Sequence, residues 1–335
     1  MKTEDYLEQQ HAVYKDEVAA LRALTNGIGR SIVGKELVVE KMIAGALAGG
    51  HVLMEDYPGL GKTLLVKTFA RNVAADFKRV QFTPDILPSD ILGTKIWNNE
   101  TRQFLLLKGP VFTNVLLADE INRAPPKTQS ALLEAMEERQ VTIDGETHKL
   151  PKPFFVLATQ NPIEQEGTYP LPEAQMDRFL LRLSMGYPTT DEEEAAILER
   201  RAGWAKDDPT VDLQPVMDLP RFDSLRQRVE TGVRVSSEVM LYISRIVRAV
   251  RMHPQVRVGP SPRGTLALYK VSKAMALMRG RDFVVPDDVK GFVADALAHR
   301  TLLKIEDMLS GAVPERVVRE AVATVAVPRG ATRKV

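Results

Sequence analysis

Residues 58–64, Pro-Gly-Leu-Gly-Lys-Thr-Leu, join a glycine-rich turn to a lysine and a hydroxyl, the parts that hold a polyphosphate and its metal. Pro58, Gly59, Leu60 and Gly61 can turn backbone N–H groups toward phosphates. Lys62 can reach the β- and γ-phosphates, Thr63 can ligate Mg²⁺, and Leu64 continues into an apolar helix whose N-terminus favours an anion. The full pattern G-x-x-x-x-G-K-[ST] asks for glycine at position 56, where this chain has Asp56. We read Asp56 as ending the preceding strand and shaping entry to the loop, the cradle being built from Gly59 onward. Alone, the loop also fits a plain glycine turn beside an unrelated lysine.

Further along, the apolar run Val115–Ala118 ends in Asp119-Glu120. That arrangement sets an aspartate on Mg²⁺ through water and a glutamate beside an attacking water. A strand ending in a solvated acidic pair has the same spelling, but after a phosphate loop the pair gains a use. Asn161, closing "FFVLATQN", offers an amide that can orient water against a γ-phosphate; a lone strand-end Asn is otherwise a turn residue.

Composition narrows the alternatives. Forty-five Lys and Arg against 44 Asp and Glu leave a net charge of +1, so no overall field favours nucleic acid or anionic lipid, and neither partner is expected. The absence of cysteine excludes disulfides, thiolate metal sites and a cysteine nucleophile. His11, His51, His148, His253 and His299 lack metal-ligand spacing and read as surface or helix-end residues. The polar start "MKTEDYLEQQ" has no basic end followed by an apolar run, and the most apolar window, 42–54, contains Gly45, Gly49, Gly50 and His51 and falls short of the ~20 residues of a membrane span. A cytoplasmic protein is expected.

These residues need elements to position them. "HVLM", "RVQF", "NVLLA", "FFVLAT" and "FLLRLSM" lack polar alternation, as strands buried on both faces of a parallel sheet do. Leu37, Val38, Met42, Ile43 and Ala46 line one helical face, and Leu132, Leu133 and Met136 another, so the alternation predicts an α/β domain. Residues 94–109, with Asn98-Asn99, and 139–152, with Asp144-Gly145, read as β-hairpins inserted into that plan. After Tyr187-Pro188 the pattern turns helical, with segments near 220–231, 236–252, 261–279 and 286–298. We therefore expect an N-terminal helical segment at 1–30, an α/β nucleotide-binding core at 31–187 and a helical lid at 188–335.

The phosphate loop, the acidic pair and the strand-end asparagine, in this order on successive strands, resemble the AAA+ ATPases. The stretches "EDYPGLGKT", "QFTPDILPSDILGT", "LADEINRAPPKTQSALLEAMEE", "FVLATQNPIEQEGTYPLPEAQMDRF", "GPSPRGTLAL" and "GRDFVVPDDV" resemble the MoxR family within them, over nearly the whole chain. The resemblance implies a P-loop core with a five-stranded parallel sheet, ATP and Mg²⁺ as ligands, and a ring, a homohexamer as in most AAA+ proteins. It makes Lys62 and Thr63 the Walker A pair, Asp119 and Glu120 the Walker B pair and Asn161 the first sensor. Arg178 in "AQMDRF" matches an arginine finger reaching a neighbour's γ-phosphate, with Arg123 as a second candidate, and Arg263 in "SPRG" matches the second sensor. The hairpins would face a central channel or be structural decoration. The implied output is a chaperone that remodels or activates partners, typically von Willebrand A domain proteins. The alternatives are the motor subunit of a metal-chelatase complex, or a nucleotide-gated scaffold with little turnover.

Overall fold

The computed structural model describes residues 3–162, 167–204 and 208–328. Part of the stretch "FVLATQNPIEQEGTYPLPEAQMDRF" and the outer ends of the first and last expected segments (residues 163–166, 1–2 and 329–335), together with 205–207, lie outside the described residues.

In chain order the strands are β1 (Val52–Glu55), β2 (Phe77–Gln81), the pair β3 (Gly93–Asn98) and β4 (Gln103–Lys108), β5 (Val115–Asp119), the pair β6 (Gln140–Ile143) and β7 (Glu146–Lys149), β8 (Phe155–Gln160) and β9 (Leu181–Leu183). Five of them form one sheet in the order β2-β5-β8-β1-β9, and every neighbouring pair in it is parallel. Side chains alternate between two apolar clusters. Val52, Met54, Val115, Leu117, Phe155 and Leu157 enter one, while Leu53, Leu116, Ala118, Val156 and Ala158 enter the other. Over the central strands β1, β5 and β8 both faces are dry, which is why their runs carry no polar alternation; β2, at the sheet edge, exposes Lys78, Arg79 and Gln81, so "RVQF" is not buried on both faces as expected.

The first face is covered by α1 (Thr3–Gly29), α2 (Glu36–Leu47) and α3 (Lys62–Asn72), the second by α4 (Pro88–Leu92) and α5 (Pro126–Glu138). Leu132, Leu133 and Met136 of α5 are buried as expected. In α2 the buried stripe differs from the expected one: Leu37 is exposed and Val38 half-buried, and Val39 joins Met42, Ile43 and Ala46 against the sheet. Leu37, in the first turn, faces solvent, while Val38 packs partly against the same core.

After the short α6 (Glu173–Met176) and strand β9, the chain is helical: α7 (Asp191–Trp204), α8 (Leu219–Gly232), α9 (Ser237–Arg251), α10 (Pro262–Met278), α11 (Pro286–Lys290), α12 (Val293–Leu297), α13 (Ile305–Leu309) and α14 (Pro314–Ala323). Side chains of Asp218, Ser236 and Ser261 cap α8, α9 and α10, and proline opens α10 and α11. The helix expected at 286–298 is broken between α11 and α12. Phe292 leaves helical geometry (φ −118°, ψ 0°) and puts its ring into the core shared with the sheet, so burial overrides continuity.

Both hairpins form. Asp144 and Gly145 carry positive φ, 48° and 81°, the geometry an Asp-Gly two-residue turn demands. The first hairpin turns through residues 99–102 instead of at Asn98-Asn99. Asn98 closes β3, and its side-chain oxygen accepts the backbone N–H groups of Glu100 and Thr101 at 2.8 and 2.9 Å. Among the described residues no helix is long and apolar enough to cross a membrane.

Two histidines read as surface or helix-end residues, His51 and His299, are buried. The Val156 N–H donates to His51 Nδ1 at 2.9 Å, so the ring hydrogen sits on Nε2 and donates to the Met136 carbonyl at 3.1 Å. Burial and the nearby Arg139 guanidinium push His51 well below its ordinary value. Between the folded and unfolded pKa only the unfolded chain binds the proton, so stability is complete above about pH 6.5 and declines as pH falls. Thermal melts from pH 8 to 5 are expected to show that decline, with a shallower slope below pH 6.5 for His51→Gln. Equal slopes would remove His51 from the explanation.

Candidate functional site

The phosphate loop leaves the C-terminal end of β1 and enters α3 through Gly61. Gly59 and Gly61 have φ of 84° and 81°, a conformation costly for other residues, and at both positions the space beyond the backbone is open. That open cradle is about 370 Å³ in volume and is backed by the ends of β5 and β8. It gathers Lys62, Thr63, Asp119, Glu120 and Asn161 into one cleft, with Pro58, Leu60 and Leu64 on its rim.

The acidic pair is held by residues that the motif reading did not single out. Thr159 Oγ1 donates to Asp119 Oδ1 at 2.6 Å and accepts the Glu120 N–H at 2.8 Å. Arg79 donates to Asp119 Oδ2 from Nε (3.1 Å) and Nη2 (2.7 Å). Glu120 has left-handed backbone geometry (φ 57°, ψ 50°), and its carboxylate accepts Gln81 Nε2 at 2.6 Å and pairs with Arg123 at 3.0 Å. Register explains the gathering: Gln81 on β2 lies opposite Asp119, while Ala118 lies opposite Ala158, the neighbour of Thr159 on β8.

Lys62 Nζ donates to the carbonyls of Asp56 (3.0 Å) and Tyr57 (2.8 Å). Burial lowers its pKa, and the carboxylates of Asp56, Asp119 and Glu120 oppose that shift. A lysine, a loop with two left-handed glycines and a helix N-terminus suit a polyphosphate. The Thr63 hydroxyl and the Asp119 carboxylate are hard oxygen donors of the kind Mg²⁺ prefers. ATP and Mg²⁺ therefore fit the donor set present.

A second cleft of about 410 Å³ shares Pro58–Gly61 and Leu64 with the first. Its other walls are Ile32, Ile197 and Trp204 on one side and Met185–Pro188, the segment between β9 and α7, on the other. Its size and apolar walls suit a nucleoside beside the phosphates. Asp56 sits where the two clefts meet, and it does more than end a strand. Its buried carboxylate accepts Ser184 Oγ at 2.6 Å and the N–H groups of Met185 (2.7 Å) and Gly186 (3.2 Å).

Arg178 and Arg263 lie elsewhere. Both pair with Glu137 at the end of α5, Arg178 through Nε at 3.1 Å and Arg263 through Nη2. Asp177 fixes this corner: it accepts from Ser261 Oγ (2.8 Å) and from the buried Arg300 Nε (2.7 Å). The pocket there is also lined by Gly50, His51 and Leu180, the residues leading into β1 and β9, and shares no lining residue with the phosphate cleft. The four residues of β1, about 13 Å of strand, separate the two places. Arg123, the other finger candidate, is instead beside Glu120 of its own chain.

Residues 51–181 match the family model described as "ATPase family associated with various cellular activities (AAA)", and residues 248–328 match "AAA lid domain". Chaperone MoxR1 of Mycobacterium tuberculosis is 44% identical over 323 residues, covering 93% of this chain and 84% of the relative. This chain belongs to the MoxR family of AAA+ ATPases. YeaC of Bacillus subtilis is 50% identical over 301 residues, covering 90% of this chain and 92% of the relative. The crystal structure of a protein assigned as an ATPase, from Cytophaga hutchinsonii, superposes with a TM-score of 0.87 at 37% identity, covering 97% of this chain and 99% of the other. Family membership agrees with the α/β core and helical lid described above, and makes the protein an ATPase.

Proposed function

We propose that this MoxR-family ATPase hydrolyses MgATP at sites completed between neighbouring protomers of a homohexameric ring, and that each cycle remodels or activates a client protein. The observation that carries the reading is the placement of Arg178 and Arg263 at the N-terminal end of the sheet, while the phosphate cleft opens at its C-terminal end. Within one protomer those arginines line a pocket separate from the phosphate cleft. A head-to-tail neighbour can bring them to the phosphates, and repetition of such a contact closes a ring.

In this reading Lys62 and the loop N–H groups would hold the β- and γ-phosphates, and Thr63 and Asp119 would hold Mg²⁺, which would supply neutralising charge to the phosphate oxygens. Glu120 leaves Gln81 and Arg123 to align the attacking water and take its proton, with Asn161 fixing that water from β8. Arg178 and Arg263 exchange Glu137 for the neighbour's γ-phosphate, where charge builds as the bond to the leaving oxygen breaks.

Client contact is assigned to the two hairpins, with von Willebrand A domain proteins as the expected clients. Support comes from the first hairpin, which exposes Ile96, Trp97, Phe104 and Leu107 to solvent, a concentration of apolar surface typical of interaction sites. The test is light scattering of Glu120→Gln with saturating MgATP. A mass near six times the 37.3 kDa chain is expected, and a monomer at micromolar concentration would contradict the ring. The same trapped species is the bait for clients.

A further inference from the structure

The departure at position 56 has a structural counterpart. The glycine usual in the phosphate-loop pattern cannot bridge anything, whereas Asp56 is 4% exposed and spends its carboxylate on three donors from residues 184–186. The carboxylate makes no hydrogen bond to Lys62, whose hydrogen-bond partners among the described residues are the Asp56 and Tyr57 carbonyls. Beside it, Tyr57 stacks on Tyr187 with ring centroids 5.5 Å apart and planes 25° from parallel. Gly186 takes a φ of 62°, the left-handed turn that brings its N–H onto the carboxylate. Lys35 Nζ adds a bond to the Tyr187 carbonyl at 2.8 Å. The segment held in this way forms one wall of the nucleoside cleft, and the loop residue that holds it borders the phosphate cleft.

We propose that Asp56 is a positioning residue that fixes the 185–188 wall of the nucleoside cleft against the phosphate loop, so that nucleotide affinity, but not affinity for bare phosphate, depends on its carboxylate. Removing it leaves the buried Met185 N–H and the part-buried Gly186 N–H without that acceptor, and the wall they belong to loses its place. The phosphate cradle keeps its hydrogen bonds, because Gly59 to Thr63 take none from the Asp56 side chain, which acts on Lys62 through its charge alone. This rests on reading the two joined clefts as one nucleotide site.

Isothermal titration of full-length protein with MgADP and with magnesium tripolyphosphate separates the roles. Asp56→Ala is expected to weaken MgADP at least tenfold and tripolyphosphate less than twofold. Ser184→Ala, which removes one of the three donors, should shift MgADP a few-fold with the same selectivity. Equal losses for both ligands would make Asp56 a support of the phosphate loop and overturn the proposal, as would unchanged MgADP affinity. Should Asp56→Ala fail to fold, Asp56→Asn and Ser184→Ala carry the same comparison with the same opposing outcomes. A parent protein that binds neither ligand would overturn the nucleotide-site reading itself, a result distinct from any of these.

Discussion

Glu120→Gln is expected to bind ATP as the parent does and to lose hydrolysis by roughly 10²- to 10⁴-fold, the range for a positioned general base. Glu120 follows the last residue of β5 and lines the same cleft as Asn161 and Lys62. There it meets a water only when that water attacks, so its contribution belongs to the transition state and not to the bound ground state. Gln keeps the size and one acceptor for Gln81 but cannot take a proton. Lys62→Ala should show the opposite division. The ammonium now held by the Asp56 and Tyr57 carbonyls is the group that meets the phosphates on binding, and its loss should weaken ATP on the order of 10²-fold. Fluorescent-nucleotide titration and single-turnover hydrolysis on the two variants measure both. Equal loss of binding in each would end this division of labour.

Arg178→Ala should lower turnover by about 10³- to 10⁵-fold, the worth of an arginine finger in other phosphoryl-transfer systems, with little change in ATP affinity. Arg178 lines no part of its own phosphate cleft, so binding within one protomer has no need of it. Arg178→Lys should recover little, since a point charge does not reproduce the planar fork that can meet two phosphate oxygens. Arg263→Ala should fall in the same class, because it shares Glu137 with Arg178 and therefore faces the same way. A variant that lost ATP binding in step with turnover would place its arginine in its own protomer's site.

The chemistry-bearing loop was legible in the sequence because its parts are contiguous: Gly59 to Thr63 need only a strand before and a helix after. Asp119-Glu120 and Asn161 were legible once that loop set the context. Thr159 and Arg79 were not, since they reach Asp119 through the register of β8 and β2, and a threonine in "LATQN" or an arginine in "KRVQF" looks like any strand residue. For Thr159 the one signal is a polar side chain near the C-terminal end of an otherwise apolar strand; Arg79 stands mid-strand in β2 between Lys78 and Val80 and carries none. Asp56 was visible as a departure, yet its partners lie some 130 residues away at 184–186, a contact made by pairing β9 beside β1. The break at Phe292 and the exposure of Leu37 follow from tertiary packing, which local periodicity does not carry.

The central claim is that each active site takes its phosphate cleft from one protomer and its arginines from the next. Mixing Arg178→Ala with Glu120→Gln tests it directly, because each is inactive alone for a different reason. An interface with its cleft from the Arg178→Ala subunit and its finger from the Glu120→Gln subunit lacks nothing, and random mixing makes roughly a quarter of interfaces that kind. Phosphate release should reappear in the mixture, toward a quarter of the parent rate if interfaces act independently. A mixture that stays silent while labelled subunits demonstrably exchange would contradict the shared site and return Arg123, already beside Glu120, to the centre of the mechanism.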